Sequence, residues 1–220
     1  MEVNILMNYN EIVLNYLNDY PFDEPIFVED IKKYVKHNLG DKIDLSKVFK
    51  NINVLLNRLT KKKKIYLYTR GIYYKPTTGI FGVRGLNTDK VIYKKYLEDN
   101  GNIKGYFSGA VLFNVLGLTT QVPRYKLIVT NECNIDSIYN DKKLCVVVKK
   151  TKIKIDNNNY IYLQLLDLLA NKEQINIEVE NEKEIIYKFI KENNLEFDKI
   201  FMYAKLTNNK RAIEHLYELG

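Results

Sequence analysis

The chain has two cysteines, Cys133 and Cys145, too few for a disulfide framework. They read as two free thiols of a reducing compartment, small core fillers on or near strands rather than nucleophiles. There are two histidines, His37 and His215, and no His–Cys group at zinc spacing, so no metal ligand set is expected. No apolar run approaches the roughly 18 residues that span a bilayer. The start, MEVNILMNYNE, has neither the basic end nor the apolar core of a secretory signal, and the expected location is cytoplasmic, with no membrane partner. Tryptophan is absent, and the aromatic content rests on 18 Tyr and 9 Phe. Arginine is scarce: Arg58, Arg70, Arg84, Arg124 and Arg211 are five among 34 basic residues. A chain rich in Lys, Asn, Ile and Tyr points to an AT-rich coding genome. Such a genome inflates lysine without functional meaning, so the total net charge of +7 carries little weight.

The glycines of the segment PTTGIFGVRG, at 79, 82 and 85, have the wrong spacing for a dinucleotide fingerprint, and no GKS or GKT follows them. No serine elbow occurs. A metal nuclease needs clustered carboxylates. The nearest candidates, Asp167, Glu178 and Glu180, lack a companion lysine at fixed spacing, and Asp167 reads as a solvent-facing position of an apolar helix. No catalytic residue, metal or cofactor is expected, and the chain is not read as an enzyme.

What is present is an uneven distribution of charge. Residues 31–75 hold 13 Lys/Arg against two acids, Asp41 and Asp44, a net of +11, whereas residues 1–30 hold seven acids and no Lys or Arg. Residues 76–220 carry 21 basic and 18 acidic side chains, so the excess sits in one module. Codon bias alone does not produce that contrast.

The basic module has a recognisable order of elements. Residues 9–19 place Ile12, Val13, Tyr16 and Leu17 on one helical face, and Tyr20-Pro21 ends that helix. A second helix is predicted from near Glu29 to Lys36. Asn38-Leu39-Gly40-Asp41 is a turn signal, and Asp44 or Ser46 is a candidate cap for a third helix over 45–60. Val48, Phe49, Ile52, Leu55, Leu56 and Leu59 form that helix's buried face. Ile65 to Tyr68 and Ile72 to Lys75 alternate as strands around Arg70-Gly71, a tight hairpin. Helix, turn, longer helix and hairpin make the outline of a winged helix-turn-helix, and its charge points to double-stranded DNA.

On the third helix, Ser46, Lys47, Lys50, Asn51, Asn53 and Asn57 fall mostly off the apolar face and are the candidates for the major groove, where asparagine pairs with adenine. Lys61, Lys62, Lys63, Lys64 and Arg70 are the candidates for backbone phosphates. The same outline also serves as a protein-interaction scaffold, and that alternative stays open. Tyrosines between 66 and 75 are suited to stacking on bases, although packing one hairpin face against the helices explains them as well.

The predicted organisation is α+β: a winged helix-turn-helix over 1–76, a linker over 77–85, and a mixed α/β region with a helical C-terminus over 86–220. Within the last, helices are expected from Thr88 to Leu97, ending at Asn100-Gly101, and from Gly105 to Leu116 with Gly117 as its C-terminal glycine. Strands are expected at 125–130, 144–149 and 151–155. Further helices are expected over 160–170, 182–192, 198–206 and 209–219.

Two segments carry a family resemblance. Arg70-Gly71-Ile72-Tyr73-Tyr74-Lys75-Pro76 resembles an RGxYY-K-P wing. Gly105 to Gly109, then Gly117-Leu118-Thr119-Thr120-Gln121-Val122-Pro123 closing in Thr130-Asn131, resembles the G-L-T-T-Q-V-P block and following strand of the AbiEi-like antitoxins, predicted transcriptional regulators of bacterial phage-defence (abortive infection) systems. Residues 203–220 weakly resemble the family's final helix. The resemblance implies a bifunctional protein. Its winged helix would repress its own promoter, and its C-terminal region would antagonise a nucleotidyltransferase-like toxin in a type IV toxin-antitoxin arrangement, where a stable complex is not required.

Overall fold

The computed structural model describes residues 9–39, 45–136 and 138–219. The chain divides into two compact units, Met1–Val91 and Ile92–Gly220. The first holds α1 (Tyr9–Asp19), β1 (Ile26–Phe27), α2 (Val28–Leu39), α3 (Leu45–Lys61), β2 (Tyr66–Thr69), β3 (Ile72–Tyr74), β4 (Thr78–Gly79) and β5 (Gly82–Val83). It ends in α4 (Thr88–Ile92), which runs across the boundary.

The apolar period of these helices fixes the core of the first unit. Ile12, Val13 and Leu17 of α1, Ile31 and Val35 of α2, and Val48, Ile52, Leu56 and Leu59 of α3 bury together with Ile26, Ile65 and Tyr73. Asn38 and Leu39, expected to open a turn, are the last residues of α2, while Gly40, Asp41 and the cap candidate Asp44 lie outside the described residues. Ser46, the other cap candidate, stands within the first turn of α3. β2 and β3 pair antiparallel as the alternation predicts, and β1 adds to β3, giving the order β1-β3-β2. Two residues are too few to display alternation, which is why β1 is silent in the sequence.

The stretch 77–85, read as a linker, contains the antiparallel pair β4–β5. Its base is fastened to Asp23, whose carboxylate accepts from the Thr77 backbone N–H at 3.0 Å and from Thr77 Oγ1 at 2.6 Å. Those bonds hold the Asp23 carboxyl below the usual carboxylate range.

In the second unit a π-helical turn (Tyr93–Leu97) leads to β6 (Glu98–Asp99), β7 (Asn102–Ile103), β8 (Gly105–Ser108), α5 (Ala110–Val115), β9 (Lys126–Thr130), β10 (Tyr139–Asp141) and β11 (Val146–Lys150). Four helices complete it: α6 (Tyr160–Asn171) with a 3-10 turn at Lys172–Gln174, α7 (Glu182–Glu192), α8 (Phe197–Leu206) and α9 (Lys210–Leu219). The sheet order is β10-β11-β9-β8, with β9 and β11 parallel and the outer pairs antiparallel. Leucines of α6 pack with α5, α7, α8 and α9 in the main core. The architecture is α+β with a helical C-terminus.

Three local expectations change. Asn100-Gly101 turns a hairpin between β6 and β7 rather than ending a helix, because both residues take positive φ (51° and 78°), the conformation of a two-residue type I′ turn. The segment from Gly105 to Leu116 is strand, then helix. Gly105 lies so close to its neighbours that a Cβ there would stand 2.2 Å from the Tyr96 carbonyl oxygen and 2.8 Å from that of Val129. Residues 151–155 make no strand. Both backbone groups of Ile155 bond the Asn131 side-chain amide instead, at 2.9 and 2.8 Å.

Candidate nucleic-acid interface

α3 buries one side and leaves two adjacent rows of polar side chains on the other. Ser46, Lys50, Asn53, Asn57 and Lys61 follow one another at spacings of three or four residues, and so do Lys47, Asn51, Val54 and Arg58. All nine are exposed. The side chains of Lys50, Asn51, Asn53, Asn57 and Arg58 make no hydrogen bond or ion pair with any described residue, so their donors face solvent. Sequence reasoning overlooked Val54, which is 48% exposed in the midst of this polar face. Its position, three residues after Asn51 and four before Arg58, is the signal that would have found it. A methyl-bearing side chain there is suited to a thymine methyl in the major groove.

The helix ends on the lysine run. Lys64 N–H donates to the Leu59 carbonyl and Lys63 N–H to the Thr60 carbonyl, the paired bonds of a Schellman stop, which demands a left-handed residue at position 63. Gly117, Asn194 and Asn208 hold the equivalent place after α5, α7 and α8 with the same two bonds, and those are the residue types that tolerate it. Lys63 adopts it at φ 56°. Lys61, Lys62, Lys63 and Lys64 are all exposed. Arg70 stands exposed at the β2–β3 turn, where Gly71 supplies φ 82°.

Three acids of the N-terminal stretch have defined partners. Glu24 pairs with Lys90 at 2.5 Å, Glu29 with Lys32 at 2.8 Å, and Asp23 holds Thr77. Lys32 also lies 5.4 Å from the centre of the Phe49 ring. The hairpin tyrosines serve packing: Tyr73 and Tyr74 are buried, and the rings of Tyr66 and Tyr74 meet at 5.9 Å.

In the second unit, Asp167 is not turned to solvent as its sequence context indicated. From α6 it accepts from two β8 side chains, Ser108 Oγ at 3.0 Å and Tyr106 Oη at 3.3 Å, and burial pushes its carboxyl above the usual range. Glu178 accepts from Thr120 N–H at 2.9 Å, Thr120 Oγ1 at 2.7 Å and Thr119 Oγ1 at 3.2 Å. It thereby pins the Gly117–Pro123 block, and the same bonds lower its own pKa. Among the described residues no three His, Cys, Asp or Glu gather where they would hold a metal ion. His37 is exposed, and His215 is buried with Nδ1 3.0 Å from Glu218 Oε2. Cys133 is buried, but Cys145 is exposed, at φ 53° in the turn before β11, and fills no core. No described helix is long and apolar enough to cross a membrane.

No family model and no curated protein matches this chain.

Proposed function

We propose that residues 1–76 form a winged helix-turn-helix that binds double-stranded DNA at the protein's own promoter. On this reading the protein is a transcriptional repressor of antitoxin kind, with residues 86–220 as the antitoxin-like domain, paired in function with a nucleotidyltransferase-like toxin. The observation that carries the DNA reading is the face of α3. Lys50, Asn51, Asn53 and Asn57 present exposed donors with no described protein partner, and four exposed lysines follow without a break. The succession α1, α2, α3, β2, β3, with β1 completing a small sheet, supports the winged-helix reading. The antitoxin role rests on the resemblance of the Gly117–Pro123 block.

The test is fluorescence anisotropy on labelled DNA from upstream of the gene, against scrambled DNA, over a series of salt concentrations. Neutralising about six phosphates gives log K a slope of about −5 against log salt. A slope near zero, or equal affinity for both DNAs, overturns the reading of a sequence-specific repressor. A protein-interaction module built on the same scaffold then takes its place. The apolar Ile80 and Phe81, exposed between β4 and β5, favour that second reading.

A further inference from the structure

The second unit holds a cavity of about 250 Å³ between the sheet, α6 and the start of α9. Its construction follows from the register. Tyr106 of β8 lies opposite Val129 of β9, and Val129 opposite Lys149 of β11, so these three side chains form one row across the sheet and line one wall. Leu163, Leu166, Asp167, Ala170 and Asn171 line the facing wall at the three- and four-residue spacing of one helix face. Thr207, Asn209 and Arg211, between α8 and the first turn of α9, complete it.

The charges of this cavity do not balance. Four cationic residues line it, Lys149, Lys150, Lys152 and Arg211, against a single carboxyl, Asp167. Lys150 pairs with the exposed Asp136 at 2.6 Å, and Lys152 Nζ donates to the Thr207 carbonyl at 2.7 Å. Lys149 and Arg211 have no ion-pair partner among the described residues. Asp167, already bonded by Tyr106 and Ser108, is one carboxyl against four cations, and burial raises its pKa while the Lys149 and Lys152 charges draw it down. A concave site with surplus positive charge concentrates anions, and charge-assisted bonds to phosphate oxygens are the strongest available to Lys and Arg. The volume decides the size of ligand. It lies just below the roughly 300–1,000 Å³ of ordinary small-molecule sites, a size that suits one nucleotide unit better than a dinucleotide cofactor or a duplex.

We propose that this cavity binds a small phosphate monoester of mononucleotide size, with Lys149, Lys152 and Arg211 on the phosphate and the amides and Asp167 toward the uncharged remainder. The site is separate from the α3 face, and the proposal stands or falls independently of DNA binding.

The experiment is isothermal titration calorimetry on the full chain with AMP, GMP, CMP and UMP, with adenosine and inorganic phosphate as part-ligands. Saturable binding of at least one nucleotide, with adenosine ten-fold weaker or absent, is expected. Lys149→Ala and Arg211→Ala should each weaken it ten-fold or more at unchanged Tm, while Lys188→Ala, an exposed lysine outside the cavity, leaves it unaltered. Inorganic phosphate binding as tightly as the nucleotides also supports the site and names the free ion as its source. No saturation by any of these ligands at millimolar concentration overturns the proposal. So does adenosine binding as well as AMP, or affinity indifferent to both cavity substitutions. Should Arg211→Ala lower Tm, Lys149→Ala alone decides.

Discussion

Asn51 and Lys62 divide the proposed interface by the kind of contact each side chain is able to make. On the proposed reading an asparagine amide on the exposed side of α3 would pair with the N6 and N7 of adenine, so Asn51→Ala should lose roughly 1–3 kcal/mol of discrimination at one base pair. An ammonium at the helix end would meet only phosphate. Lys62→Ala should weaken native and scrambled DNA alike and reduce the salt slope by about 0.9. Competition binding against single-position operator variants separates the two, and equal losses on all sequences for Asn51→Ala would remove it from base reading. Lys63 gives a second test. A left-handed backbone costs an ordinary residue about 1–2 kcal/mol, which glycine avoids. Lys63→Gly is expected to raise the urea midpoint by the equivalent of about 1 kcal/mol while weakening DNA binding. That trade, stability given up for a cation, would mark position 63 as functional; unchanged DNA affinity would mark it as incidental.

At the scale of elements, helices were legible wherever an apolar period ran long enough. α1 and α7 fall on the expected residues, and α3 runs one residue past the expected end. Short elements were not legible. β1 is two residues long, β10 is three, and both exist because a neighbouring strand offers backbone partners. β8 is the instructive failure. The residues from 105 to 116 contain a helical stretch, and continuing it back to Gly105 was the natural extrapolation. Backbone packing overrides it, because β8 must lie against β9 with the Tyr96 carbonyl pressed on Gly105. Gly105→Ala should therefore destabilise the chain by about 3 kcal/mol, the upper range for forcing atoms into a packed site. A chemical denaturation curve is the check, and a loss below a few tenths of a kcal/mol would mean the sheet edge yields easily.

For the whole molecule, the titration of buried groups sets how stability follows pH. Asp141 is drawn upward by burial, but hydrogen bonds from Lys95 and Tyr96 and the Lys95 charge bring its pKa below the usual value. The stability it contributes is present above the ordinary carboxylate range and is lost as pH falls through its lowered folded pKa. Asp167 has the opposite sign. Burial lifts its folded pKa above the ordinary value of an aspartate, so the native state binds that proton more tightly than the unfolded chain does. Its contribution is fully favourable below that value and declines as pH rises through the folded pKa. Asp167→Asn, which keeps the shape of the neutral acid, should raise Tm at pH 8, with the gain shrinking as pH is lowered toward 4. Calorimetric scans across that range test this; a gain independent of pH, or a loss at pH 8, would show that the ionised carboxylate is the favoured form.

The amino-acid sequence by itself determined the helices, the hairpin of the first unit and the segregation of charge, because apolar period, turn residues and ionic side chains act over a few neighbouring positions. It also singled out the lysines and asparagines of α3, since exposure follows from being off the buried period. Only the tertiary structure decided the sheet order, the place of Gly105, the engagement of Glu178 with Thr119 and Thr120, and the cavity that brings Lys149, Asp167 and Arg211 to common walls. Those features depend on strands and helices far apart in the chain meeting in one register, and no local pattern of residues encodes which side chains such a meeting will bring together.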